Sequence, residues 1–298
     1  LGRLYQVTAD YDRSESYYRQ SIAFSESSSG AISTTRCALG ATLRLSGDID
    51  SALIEQTMCQ RQAEATGNQR AMILARYELA ESYLAQGDHE RAWQNVEWAW
   101  QQRQTDISPA LRARIMRLYA WLLQRRGSGA QAWATINELL VEQDDDQTRL
   151  DMADRIENLA MAMNLSLEQG DMARAEPYGL MAIDLIESQY EQFESERLGP
   201  AWGARTHRIF VQLAEAYLKQ YLENGEAQLL EKAFAITERS RAATLRQQFA
   251  GHQLQGNKTG SGSSQGDDPI SRSAEKAQIN AISRIANEIA NTNAAARI

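Results

Sequence analysis

Apolar positions recur along this chain at steps of three and four, and glycines break the pattern at near-regular intervals. Between Glu78 and Trp100, ELAESYLAQGDHERAWQNVEWAW, one apolar run ends at Gly87-Asp88 and a second opens at Ala92. The same text tiles the chain. Gly47, Gly87, Gly127 and Gly170 lie 40, 40 and 43 residues apart, and Ala52, Ala92, Ala132 and Ala175 follow them in step. LGATLRLSGDIDSAL, LAESYLAQGDHERAW, YAWLLQRRGSGAQAW and AMNLSLEQGDMARAE are four copies. A weaker copy opens the chain, and another follows at LAEAYLKQYLENGEAQLLEKAF. A repeat of this period predicts a solenoid.

Each unit reads as two antiparallel helices. The glycine takes the left-handed conformation that stops the first helix. Asp48, Asp88 and Asp171 follow it, placed to cap the second helix with a side-chain oxygen. The alanine is small because two helices cross there, against Leu43, Tyr83 and Leu123. One hairpin cannot bury its apolar face alone, so the units must stack. The predicted fold is all-α, an α-α superhelix of about six hairpins over residues 1–250.

This pattern resembles the tetratricopeptide repeat (TPR). Leu39-Gly40, Leu79-Ala80 and Tyr119-Ala120 match its first-helix small pair. Tyr5 and Tyr83 match its aromatic position, and Ala52, Ala92 and Ala132 its second-helix small position. The period is longer than the usual one and is similar to the long-helix variety of bacterial regulators and scaffolds. The fifth copy departs: Met163 replaces the small residue, Ser166 the aromatic, and Pro177 falls inside the second helix, which predicts a kink or a late start. The stretch Leu198 to His207, with Gly199, Pro200 and Gly203, predicts a helix break after a long helix from about Met172 to Arg197.

Beyond the array, residues 251–272 have linker composition, richest from Gly256 to Pro269. Residues 273–298 predict an amphipathic helix, with Ile279, Ile282, Ile285 and Ile289 on one stripe. That stripe wants a partner helix, either at Leu245 and Phe249 or outside this chain. Leu1 falls inside the first repeat, so the chain is expected to be a piece of a longer protein.

The run AFAITERSRAATLRQQF, Ala233 to Phe249, resembles the helix that joins a TPR array to a CHAT domain, the caspase-like peptidase domain of bacterial proteins. The matching residues are Ala233, Phe234, Glu238, Arg239, Ser240, Arg241, Ala242 and Leu245. The resemblance implies a recognition arm without its peptidase, because no His-then-Cys dyad follows.

Charge and candidate chemistry narrow the function. The net charge of -8 argues against a general nucleic-acid binder, and no run of eighteen apolar residues offers a membrane span. Cys37 and Cys59 form no CxxC pair or metal cluster. They read as small buried helix residues, which fits a cytoplasmic address. His89, His207 and His252 are not placed to activate either cysteine, so no catalytic residue is assigned. Asp144-Asp145-Asp146 lacks the glycine and alternation of a calcium loop and reads as a solvated turn. GSGSSQG follows no strand and lacks a Lys-Ser/Thr ending. No metal or cofactor is expected.

Trp93 and Trp133 follow the small alanine and read as inter-repeat core, and Trp98 and Trp100 face different sides of one helix. Trp121 falls where the repeat resemblance points into the inner groove. The same register collects Cys37, Ala41, Arg44, Tyr77, Glu81, Leu84, Arg114, Arg117, Trp121, Arg125, Asn164 and Glu168. Arg44, Tyr77, Glu81, Arg114, Arg117, Trp121 and Arg125 are the expected partner-binding residues. Arginine suits carboxylates because its fork bonds both oxygens, so the expected partner is a protein or peptide with an acidic segment. Two functions follow: a protein-interaction scaffold acting as the sensor arm of a CHAT-type peptidase, or a ligand-sensing repeat domain of a bacterial signalling or transcription regulator. The oligomeric state is left open.

Overall fold

A computed structural model describes residues 1–7, 9–24, 29–143, 150–192 and 200–258. The described residues form twelve helices and no strand. They follow one another as six antiparallel pairs: α1 (Gly2–Val7) with α2 (Tyr11–Phe24), α3 (Ser29–Ser46) with α4 (Ile49–Ala65), α5 (Gln69–Gln86) with α6 (His89–Gln101), α7 (Pro109–Arg125) with α8 (Gly129–Gln143), α9 (Met152–Glu168) with α10 (Met172–Gln192), and α11 (Pro200–Asn224) with α12 (Ala227–Lys258). Leu1–His252 is one compact unit. Gln253–Ile298 is a second, described only to residue 258, where it is helical. Residues 259–298, with the isoleucine stripe, lie outside the described residues, as do Asp144–Asp146.

The turn chemistry is the one the repeat requires. Gly87 closes α5 at φ +85°, its N–H bonding back to Tyr83 and Leu84, a conformation that costs an L side chain about 1–2 kcal/mol. The oxygens of Asp48, Asp88 and Asp171 accept the N–H of Ser51, Arg91 and Arg174, three residues on. The backbone hydrogen bond to Arg91 holds the Asp88 carboxyl below the usual range, and bonds to Ser51 do the same for Asp48.

Ala52, Ala92, Ala132 and Ala175 are all fully buried. At Gly40 the helices come so close that a Cβ would stand 3.0 Å from the Ala52 carbonyl oxygen. A continuous apolar core runs through the last three hairpins, from Ala113 and Met116 to Ile236 and Ala243. The second and third hairpins carry smaller clusters. Trp93 and Trp133 serve the core as expected, stacked on Tyr119 at 5.2 Å and set against Tyr178 at 5.8 Å between ring centres.

Three expectations are corrected. α10 does not start late: Asp171 caps it and it runs unbroken through Pro177, six residues in. Gly203 does not break α11, which begins at Pro200, where the missing proline N–H costs nothing. Cys37 and Cys59 are buried, at 1% and 0% exposure, but they are bonded to each other, with Cα atoms 5.5 Å apart. Their separation of 22 residues carries the chain up α3 and back down α4, a pairing visible only once the hairpin register is fixed.

Candidate interaction groove

A series of ion pairs links the first helices of neighbouring hairpins. Arg44 on α3 reaches Glu78 and Glu81 on α5 at 3.2 and 3.5 Å. Arg114 on α7 reaches the other oxygen of Glu78 at 3.0 Å. Glu78 is therefore shared by guanidinium groups from both neighbouring hairpins, with its side chain only 5% exposed. The Tyr77 hydroxyl donates to Glu81 at 2.7 Å, and the Arg114 guanidinium lies over the Tyr77 ring. Burial, reinforced by the Glu81 charge, pushes the Tyr77 phenol far above its ordinary range, so it stays a donor at any physiological pH. Arg117 continues the series to α9, bonding Asp154 at 2.8 Å and the Asn158 side-chain oxygen.

Arg44, Tyr77, Glu81, Arg114 and Arg117 are thus engaged in a bonded series that ties α3, α5, α7 and α9 together. Cys37 and Ala41, from the same register, are buried. Trp121 and Arg125 are placed differently. Arg125 lies over the Trp121 ring at 5.0 Å, and His89 packs on Trp121 at 6.5 Å. With Asn164 and Glu168 of α9 they line a pocket of about 760 Å³ between α7, α9 and α11.

The α11 wall was not legible in the repeat text. Arg208, Gln212, Glu215, Lys219 and Glu223 line it at steps of three and four. Aligning Ala214 with Ala120 identifies Arg208 as the counterpart of Arg114, each six residues before its alanine. Arg114 meets Glu78 on the preceding first helix. The counterpart of Glu78 on α9 is Met161, which lines the pocket with Arg208. Without that carboxylate, Arg208 makes no ion pair among the described residues. The same holds for Arg125 and Lys219. The Gln212 Oε1 atom is buried without a hydrogen-bond partner among the described residues, so the pocket also holds an acceptor lacking its donor.

Other chemistry is sparse. Among the described residues no cluster of three His, Cys, Asp or Glu side chains could hold a metal ion, and no helix is long and apolar enough to cross a membrane. His207 meets the Ser240 hydroxyl at 2.9 Å, joining α11 to α12. Arg239 of α12, one of the residues in the CHAT-like run, bonds Glu187 and Asp184 of α10.

No protein-family model matches the chain, and no curated protein does. Solved structures match it. A kinesin light chain-like protein of Podosopora anserina with nearly identical TPR-like repeats superposes with a TM-score of 0.51 at 18% identity, over 72% of this chain and 96% of that one. BtubC (BKLC) from P. vanneervenii superposes with a TM-score of 0.51 at 15% identity, over 89% of this chain and 96% of that one. At such identities the likeness is one of fold.

Proposed function

We propose that this TPR-like solenoid is a protein-interaction scaffold whose recognition site is the pocket between α7, α9 and α11. The observation that carries the reading is the contrast between two registers of the array. Arg44, Arg114 and Arg117, on α3 and α7, are paired with carboxylates of the adjoining first helices. At the α7–α9–α11 pocket Arg125, Arg208 and Lys219 make no ion pair among the described residues, beside the half-buried Trp121. The lining also holds Glu168, Glu215 and Glu223, so the cavity suits a peptide segment that sets its carboxylates against Arg125, Arg208 and Lys219.

The test is binding of labelled acidic and basic peptides to the purified chain by fluorescence anisotropy. Arg125→Glu with Arg208→Glu and Lys219→Glu is expected to weaken acidic-peptide binding at least about tenfold, one 1.4 kcal/mol step, with the helical signal unchanged. Equal binding of both peptide classes, or unaltered binding by the variant, overturns the reading. Arg114 and Arg117 are poor probes because their reversal breaks the internal series.

The finer reading is that the scaffold is the sensor arm of a CHAT-type peptidase. It rests on the resemblance of Ala233 to Phe249. The protein's sequence beyond Ile298 tests it: a segment with His and Cys at strand ends supports it, any other continuation removes the peptidase link, and a DNA-binding or ATPase domain favours the ligand-sensing alternative.

A further inference from the structure

The bonded pair Cys37–Cys59 has no part in the groove. Cys37 is on α3 and Cys59 on α4, and Ala75 with Leu74 of α5 packs on the bridge. Counting back from the hairpin glycine, the counterpart of Cys37 in the third hairpin is Tyr77. Counting on from the buried alanine, the counterpart of Cys59 is Ala99. There a tyrosine ring fills the space between the helices, and both residues belong to one apolar cluster. The second hairpin has no such ring. Leu39 and Leu43 pack on Ala52 in one small cluster, and the two cysteines form another with Ala75, with Gly40, Ala41 and Ala63 as small interior positions. Gln56, fully buried there, has neither side-chain oxygen nor nitrogen hydrogen-bonded among the described residues. In the second hairpin a covalent bond stands where the next one uses side-chain volume.

We propose that Cys37–Cys59 is a redox fastener: oxidised, it locks α3 to α4; reduced, it releases the second hairpin and with it the Arg44 bridge to Glu78, while the last three hairpins stay folded. The reductant is a dithiol. One of its thiolates attacks a cysteine sulfur, the S–S bond breaks, and the other cysteine leaves as a thiolate and takes up a proton. The second thiol of the reductant then resolves the mixed disulfide, leaving two cysteine thiols and an oxidised reductant. Both sulfurs are buried, so attack waits on local opening of α3 from α4. The locked form belongs to an oxidising compartment, which weighs against a cytoplasmic address.

Hydrogen exchange read by mass spectrometry on the purified full chain, before and after dithiothreitol, tests the proposal. Protection across residues 29–65 is expected to fall about tenfold or more on reduction, with residues 150–183 unchanged. Cys37→Ala with Cys59→Ala should reproduce the reduced pattern and ignore dithiothreitol. Three results overturn the proposal: two alkylatable thiols in the untreated, denatured chain; unchanged exchange over 29–65 after a verified mass gain of two hydrogens; or loss of protection along the whole chain.

Discussion

Met163 breaks the small-residue rule of its helix, yet it is fully buried. The accommodation lies on the partner helix: a Cβ at Gly179 would stand 2.8 Å from the Met163 sulfur and 3.0 Å from a Leu213 methyl. The bulk has moved from one helix to the other, which the sequence shows only as two separate oddities sixteen residues apart. Gly179→Ala is expected to cost about 1–3 kcal/mol through overpacking, read as a lower urea midpoint. His207 is legible as an isolated histidine, but its burial against Ser240 is not. Burial lowers its pKa below the ordinary 6.5. The unfolded chain therefore takes up a proton first as pH falls, so this contribution to stability is complete above about 6.5 and is lost between that value and the lowered folded one. The fall in melting temperature from pH 7.5 to 5.5 is expected to be smaller in His207→Gln.

At the scale of helices, the boundaries were written in the sequence because Gly and Asp act locally. The charge pairing was not, because its partners sit 34 to 37 residues apart and meet only when the hairpin register is known. From sequence register Arg44, Arg114 and Arg117 read as lining one groove. That register could not show that carboxylates of the adjoining first helices already meet them. The α11 wall escaped for a related reason: α11 has 25 residues where α7 and α9 have 17, so its closing glycine is out of step. Glu78→Gln would leave Arg44, the more buried of its two partners, with only the longer contact to Glu81. A loss of about 3 kcal/mol, the low end for breaking a buried pair because the Glu81 contact remains, is expected in urea melts. The disulfide acts on the same hairpin, and a closed loop of its length contributes about 3 kcal/mol by restricting the unfolded chain.

Across the whole array, stability is a sum of hairpin and nearest-neighbour terms rather than one global core. The last three hairpins share one continuous apolar cluster, whereas the second has two small clusters, a disulfide and the Arg44 ion pairs. The shared carboxylate of Glu78 also bears on how such a chain can evolve. Arrays change length by gaining or dropping whole periods, but excising the α5–α6 period would set the cationic faces of α3 and α7 side by side with no anion between them. Loss of that unit therefore carries an electrostatic cost, which a shortening that leaves Glu78 between its two arginines avoids.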